Sequence, residues 1–269
     1  MKPLLPVLVP SVAGSTFLPD TDALSPSREP RADAAGYQTR FSTVRIPNTG
    51  PLLIRSLLDR QQYHDPDGEA ERLGISPALW PLFGLLWPSA VQLAAHVALR
   101  PVNPAERILE IGCGLALPSL VAHRQGADVT ASDCHPLAKT FLKANLALND
   151  LPPTLEYRHG QWGADMQGKG TLPNRGTLQG KYDLILGSDL LYERGAAPQI
   201  ARFVATHAHV TAEAWIVDAG RGYRSAFDRH MMQQGFDLVE NILLTQTSSR
   251  QGKPPYKGRL LKYARGRAG

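Results

Sequence analysis

Hydrophobic and polar positions form short apolar runs that alternate with amphipathic stretches, and the clearest example spans residues 107–133. Residues 107–111 form a short, mostly apolar run that contains β-branched residues, which is typical of a buried parallel strand. Residues 115–125 carry apolar side chains at helical spacing, and Gly126 is placed to end that helix. Residues 127–132 predict a second strand. A strand, a helix and a second strand in this order indicate half of a parallel α/β sheet.

The same alternation continues to the end of the chain. We predict helices at residues 90–99, 137–149, 198–210 and 225–234, and strands at 155–159, 182–186, 214–217, 238–246 and 259–263. The last two strands are expected to pair in antiparallel orientation. The fold class is therefore α/β, with a Rossmann-like, doubly wound, mostly parallel sheet of about seven strands that ends in an antiparallel hairpin.

The amino-terminal part reads differently. Residues 1–36 hold six prolines among small polar residues, which predicts disorder, and these prolines interrupt the only apolar stretch that resembles a signal peptide. Residues 40–46 and 52–57 flank a turn composition and predict a hairpin, with a brief helix at 69–73. We therefore expect a disordered segment (1–36), an appended hairpin and cap (37–100) and the main domain (101–265).

Composition restricts the function classes. The 269 residues are 43% hydrophobic and 20% charged, which is ordinary for a globular protein without membrane spans. Two cysteines without zinc spacing indicate a reducing cytoplasm and no metal site, although His135 follows Cys134. Seven basic residues and no acid fall within 241–269. This basic end suits nucleic acid or an acidic protein, but we favour a solvated strand edge.

Candidate chemistry begins at the turn after the first strand. Gly112 and Gly114 allow a sharp turn and close approach of a ligand to the backbone. Asp133 follows Gly112 at the offset of roughly 20 residues at which an acid accepts hydrogen bonds from ribose hydroxyls. Leu117 takes the place of the third glycine of a dinucleotide fingerprint, so a pyrophosphate is disfavoured. Glu110 instead suits a ligand with a cationic amino-acid part.

Further candidates lie where other predicted elements begin or end. Trp87 stands just before a helix, where a rigid aromatic side chain can line a cofactor pocket. Gln161 and Trp162 follow the strand at 155–159 and are suited to the edge and face of an adenine. Ser188, Asp189 and Tyr192 follow the strand at 182–186, at the sheet edge where substrates bind.

These residues together carry a family resemblance. Glu110-x-Gly112-x-Gly114 resembles the glycine motif of class I S-adenosylmethionine methyltransferases, with Ala116 in place of the usual third glycine. The ordered set that ends in Asp189-Leu-Leu-Tyr192 resembles the seven-strand protein-lysine methyltransferase family. The segment 218–221, Asp-Ala-Gly-Arg, is similar to the Asp-Pro-Gly-Arg segment of the branch that methylates the electron-transfer-flavoprotein β subunit. The resemblance covers roughly residues 80–263.

The resemblance implies S-adenosylmethionine as cofactor and a lysine side chain of a protein as substrate. The expected cofactor-binding residues are Trp87, Glu110, Gly112, Gly114, Asp133, Gln161, Trp162 and Ser188, and the expected catalytic residues are Asp189 and Tyr192. Two alternatives stay open: a methyltransferase for a small metabolite or RNA, and a cofactor-binding module without activity. The segment after the fourth strand lacks the paired prolines typical of RNA base-amine methylases. The target and the oligomeric state are left open.

Overall fold

A computed structural model describes residues 25–32, 36–163, 177–245 and 256–266. Its strands are β1 (Ser25–Ala32), β2 (Gln38–Val44), β3 (Leu52–Leu57), β4 (Arg107–Ile111), β5 (Asp128–Asp133), β6 (Glu156–His159), β7 (Tyr182–Ser188), β8 (Ala208–Asp218), β9 (Asp237–Thr245) and β10 (Lys257–Arg265). Its helices are α1 (Glu69–Arg72), α2 (Pro88–Ala98), α3 (Leu117–Arg124), α4 (Ala138–Leu148), α5 (Ala196–His207) and α6 (Arg224–Gln233), with a 3₁₀ turn at Trp80–Gly84.

Seven strands form the central sheet in the order β6-β5-β4-β7-β8-β10-β9. The first five of these are parallel, whereas β10 is antiparallel to both β8 and β9. The chain runs outward from β4 to β6 and then returns to β7 on the other side of β4, so the strand order reverses between β4 and β7. Ligands of open α/β sheets bind at the carboxyl ends of the strands beside such a reversal. The predicted fold class and the terminal hairpin are confirmed.

Helices cover both faces of this sheet. One apolar cluster contains inward side chains of α2, α3 and α4, including Leu93, Leu120 and Phe141. A second cluster contains those of α5 and α6, including Ile200 and Phe227. Strands that are buried on both faces are mostly apolar, which explains the hydrophobic residues of β4 and β7. Glu110 is a buried exception in β4.

The amino-terminal part forms a separate three-stranded antiparallel sheet, in the order β1-β2-β3. The predicted hairpin corresponds to β2 and β3. Strand β1 pairs with β2 and lies inside the segment 1–36, so the expected disorder does not extend over its eight residues. Residues 1–24 and 33–35 lie outside the described residues, as does most of the loop expected at 163–181.

Two asparagines of α4 attach this small sheet to the main domain. Asn145 accepts a hydrogen bond from the Arg55 amide and donates one to the Arg55 carbonyl, at 2.8 and 3.3 Å. Asn149 makes the same pair of bonds with Leu53, both at 2.8 Å. Residues four apart on a helix share a face, and so do residues two apart on a strand. The two asparagine side chains can therefore hydrogen-bond along the edge of β3 as the backbone of a neighbouring strand would.

Replacing Asn145 by alanine is expected to lower the free energy of unfolding by about 2 to 3 kcal/mol. The substitution removes two hydrogen bonds at a fully buried position and leaves the amide and carbonyl of Arg55 without them. Urea unfolding followed by circular dichroism measures the change. Lys143→Ala, at an exposed position on the same helix, is the matched control. Equal stability of the two variants would contradict the attachment.

One described stretch, Trp80–Ala98, passes the length and composition test for a membrane-crossing helix. In the fold it is interrupted at residues 85–87, between the 3₁₀ turn and α2, and most of it is buried. Trp80 and Phe83 pack edge-on at 5.7 Å, and Phe83 packs edge-on against Phe141 of α4 at 5.1 Å. The stretch is thus part of the hydrophobic core between the two sheets.

Candidate active site

A cavity of about 420 Å³ opens at the carboxyl ends of β4, β5, β6 and β7, beside the reversal of strand order. Its volume is in the range of small-molecule and cofactor sites. The 3₁₀ turn and the start of α2 form its opposite wall. Nine of the ten predicted site residues line it: Trp87, Gly112, Gly114, Asp133, Gln161, Trp162, Ser188, Asp189 and Tyr192.

The turn after β4 needs both of its glycines. Gly112 and Gly114 have φ angles of +57° and +51°, a conformation that side chains disfavour. A Cβ at Gly112 would lie 2.8 Å from the indole of Trp162, and one at Gly114 would lie 2.8 Å from the carbonyl oxygen of Phe83. A side chain at either position would collide with these neighbours, so the turn keeps both glycines, and its bare backbone forms a shallow cradle in the cavity wall.

Asp133 joins this cradle to the next strand. One carboxylate oxygen accepts a hydrogen bond from the Gly114 amide and the other from the His135 amide, both at 2.8 Å. Burial raises the pKa of the carboxyl group, and these amides oppose that shift. Each carboxylate oxygen has a second lone pair, so the group can still accept hydrogen bonds from ribose hydroxyls. Asp133 thus shapes the cradle and faces the cavity at once.

Gln161 lines the cavity, and its side-chain oxygen is an unused acceptor among the described residues. Its side-chain amide donates to the Leu73 carbonyl at 3.0 Å, which fixes the orientation of the group. Its Oε1 is buried, and no donor lies within hydrogen-bond distance among the residues that the structure describes. A buried acceptor without a partner is costly unless a ligand supplies a donor. The exocyclic amine of adenine is such a donor. Trp162, the next residue, also lines the cavity and has an aromatic face on which an adenine could stack.

Glu110 lies elsewhere than the sequence predicts. It is 1% exposed and does not line the cavity. One oxygen accepts from the backbone amide of Ser119 at 2.9 Å and from the Ser119 hydroxyl, which satisfies a free amide in the first turn of α3. Burial raises the pKa of Glu110 to about 8, so the group is largely neutral at pH 7. It anchors α3 behind the glycine turn, and its expected contact with a cationic ligand is not supported.

The Glu110→Gln variant is expected to lose less stability than the wild type as the pH rises. The pKa of Glu110 is raised on folding from 4.5 to about 8, so its contribution is complete below 4.5 and is lost as the pH approaches 8. Glutamine keeps the shape and cannot ionise. We expect urea unfolding to show that the free energy of unfolding of the wild type falls more than that of the variant between pH 5.5 and pH 8.5. A difference that is independent of pH would contradict this role.

Asp189 is held by an arginine of this chain. Its two oxygens accept from Arg221 at 2.6 and 2.9 Å, and its side chain is 10% exposed. Its φ of +57° turns the chain sharply after β7, and its amide donates to the Val217 carbonyl at 2.8 Å. Burial raises the pKa of Asp189, and the Arg221 guanidinium opposes that shift. The carboxylate is therefore fixed in direction and its charge is partly balanced.

Tyr192 stands at the rim of the same part of the cavity and is 40% exposed. Desolvation and the nearby acidic groups raise the pKa of its phenol, so the group stays protonated near neutral pH. The phenol therefore keeps its proton and is a potential hydrogen-bond donor at the rim of the cavity. Asp189 and Tyr192 are brought to one end of the cavity, as the sequence predicts, and their catalytic roles remain predictions.

Two arginines that line the cavity, Arg60 and Arg221, have no role among the predictions from the sequence. Arg221 belongs to the quoted segment 218–221, so its position after β8 was a usable signal. Arg60 lies in the loop between β3 and α1, and its guanidinium carbon is 4.9 Å from the centre of the Trp87 ring. No local pattern marks Arg60, because only the docking of the amino-terminal sheet brings it to the site.

A family model described as lysine methyltransferase matches residues 84–225, from the 3₁₀ turn to the start of α6. The chain belongs to this lysine methyltransferase family. The match includes the glycine turn, Asp133, Gln161, Trp162 and the segment from Ser188 to Tyr192. The family that the sequence resembles is thereby confirmed.

The relatives that the chain matches are named for different methylated residues and proteins. The chain is 34% identical to histone-arginine methyltransferase METTL23 of Rattus norvegicus, over 40% of this chain and 46% of that protein. It is 31% identical to protein N-lysine methyltransferase METTL21A of Danio rerio, over 48% and 54%. It is 28% identical to the electron transfer flavoprotein beta subunit lysine methyltransferase of Mus musculus, over 64% and 63%. The chain thus spans about half the length of the curated relatives it matches.

Proposed function

We propose that the protein is an S-adenosylmethionine-dependent methyltransferase that acts on a lysine side chain of a protein. The observation that carries the proposal is the cavity itself. It combines the bare backbone of the glycine cradle, the Asp133 carboxylate and the buried, unused acceptor of Gln161. These groups fit a nucleoside whose ribose and adenine present donors. Membership of the lysine methyltransferase family supports the same ligand.

The residues divide the binding between them. Asp133 would accept from the ribose hydroxyls, Gln161 from the adenine amine, and Trp162 would cover the adenine face. The backbone at Gly112 and Gly114 would face the amino-acid part. When bound, S-adenosylmethionine supplies a methyl group on a sulfonium, and its carbon–sulfur bond breaks as the substrate nitrogen forms the new bond.

Asp189 and Tyr192 would position the substrate nitrogen. A lysine ammonium must first release a proton to solvent, because only the neutral amine has the lone pair that forms the bond. An isolated carboxylate would stabilise the ammonium form and oppose this step. Because Arg221 already balances the charge of Asp189, the carboxylate can orient the amine with a weaker bias toward the ammonium. Orientation by such groups supplies several kcal/mol of a barrier.

The same ion pair supports lysine over arginine as the substrate. A substrate guanidinium binds best to a carboxylate that offers both oxygens as a fork. At Asp189 that fork is occupied by Arg221 of the chain itself. A single amine nitrogen needs only one remaining lone pair. Two of the relatives compared above are named lysine methyltransferases and one is named an arginine methyltransferase.

Two basic residues of β10, Lys262 and Arg259, give little support to RNA as the substrate. Lys262 pairs with Glu240 at 3.0 Å and lies 4.4 Å from the Trp215 ring. Arg259 donates to Asn241 at 2.8 Å. These cations are used within the fold, as expected for a solvated strand edge, whereas phosphate binding requires free donors.

Transfer of labelled methyl from S-adenosylmethionine into a cell lysate tests the proposal. The lysate is separated afterwards into protein, RNA and small molecules. We expect the label in the protein fraction. Label confined to RNA or to small molecules would contradict the choice of substrate. The absence of any label, together with the absence of S-adenosylmethionine binding by calorimetry, would contradict the methyltransferase itself.

A further inference from the structure

Arg60 brings a positive charge from the amino-terminal sheet to the wall of the cavity. It follows β3 in the loop that leads to α1, outside the main sheet. Its guanidinium rests on the ring of Trp87, and the Trp87 indole donates to the Leu82 carbonyl at 2.9 Å, which holds the ring in place. A cation against a fixed aromatic face is attracted to that face and keeps a preferred orientation. The guanidinium is therefore positioned at the cavity.

The other charges of the cavity leave Arg60 available for a ligand. Arg221 has its donors on Asp189. Among the residues in the described ranges, no carboxylate lies within salt-bridge distance of the Arg60 guanidinium. Burial raises the pKa of Asp189, and the charge of Arg60, like that of Arg221, opposes this rise, so the Arg60 and Asp189 side chains lie near each other in the cavity wall.

The amino-acid part of S-adenosylmethionine carries an α-carboxylate that needs a cationic or amide donor in a partly desolvated site. Glu110, which was expected near this part, is turned away toward Ser119. We infer that Arg60 binds the α-carboxylate of the cofactor, with Trp87 holding the guanidinium in place. The inference rests on the proposed cofactor. A planar guanidinium matches a carboxylate in a bidentate geometry that a lysine cannot reproduce. The amino-terminal sheet would then complete the cofactor site.

Two nucleosides that differ in the amino-acid part test the inference by calorimetry. S-adenosylhomocysteine carries the α-carboxylate, and 5′-methylthioadenosine lacks the whole amino-acid group. Arg60→Gln should weaken S-adenosylhomocysteine binding roughly 10- to 100-fold, the size of a charged hydrogen-bonded contact, and leave 5′-methylthioadenosine binding unchanged. Arg60→Lys should recover part of the affinity. Arg45→Gln, at an exposed position after β2, is the matched control and should bind both nucleosides normally.

Three results would overturn the inference. Equal losses for both nucleosides in Arg60→Gln would mean that the side chain only supports the Trp87 wall. Unchanged binding of both, with a raised KM for the protein substrate, would assign the guanidinium to an acidic group of that substrate. Failure of the wild type to bind S-adenosylhomocysteine while it folds normally would remove the proposed cofactor, and the role of Arg60 with it.

Discussion

Replacing Asp189 by asparagine is expected to lower kcat for methyl transfer about 100-fold or more and to change the affinity for S-adenosylmethionine little. Asparagine tolerates the left-handed backbone at this position, where φ is +57°, so the turn after β7 should persist. The substitution removes the negative charge that holds Arg221 and that would orient the substrate amine. The effect should therefore fall on the chemical step rather than on cofactor binding.

Single-turnover assays and calorimetry separate these two effects. Glu193→Gln is the matched control, since Glu193 is an exposed acid at the rim of the same cavity. Its kcat should stay within a few-fold of the wild type, as expected for a surface substitution. Full activity in Asp189→Asn would contradict the role given to the carboxylate. A loss that appears only as weaker cofactor binding would move Asp189 into the cofactor site.

The Asp133→Asn variant should bind S-adenosylmethionine at least about 100-fold more weakly, a change on the order of 3 kcal/mol. Both oxygens of Asp133 accept from backbone amides, at Gly114 and His135. Asparagine offers one oxygen, and its NH₂ group would face one of these amides, donor to donor. The variant would therefore distort the glycine cradle and lose an acceptor for the ribose at the same time.

Calorimetry with Asp128→Asn as the control isolates this effect. Asp128 begins the same strand, and its side chain is 62% exposed at the end of β5 away from the cavity. The control should bind S-adenosylmethionine like the wild type. Circular dichroism shows whether each variant is folded. Wild-type affinity in a folded Asp133→Asn protein would contradict the nucleoside site.

Much of the site is local in sequence, and this is why the sequence could predict it. A strand followed by a glycine turn and a helix places Gly112 and Gly114 at the sheet edge. The parallel neighbour places Asp133 at that same edge, because the carboxyl ends of parallel strands coincide. The same rule places Gln161 after β6 and Asp189 after β7. The hydrophobic periodicity therefore predicts where the cavity lies as well as the fold.

The misses have physical causes that a single sequence conceals. Glu110 lies in a strand that is buried on both faces, so alternation could not tell whether it faces the cavity or Ser119 of α3. Ala116 adopts a left-handed conformation with φ of +57°, and helix α3 therefore starts at Leu117 rather than at residue 115. Arg60 reaches the cavity only through the packing of the small sheet on α4, a contact between residues far apart in sequence.

The identity of the methylated amino acid tests the central claim most directly. Protein from a lysate treated with enzyme and labelled S-adenosylmethionine is hydrolysed, and the labelled amino acids are separated by chromatography. We expect methylated lysine, with the label lost in Asp189→Asn and kept in Glu193→Gln. Label in methylated arginine would contradict the argument that the Arg221–Asp189 ion pair favours lysine as the substrate. The substrate would then be an arginine side chain, as in the name of the METTL23 relative.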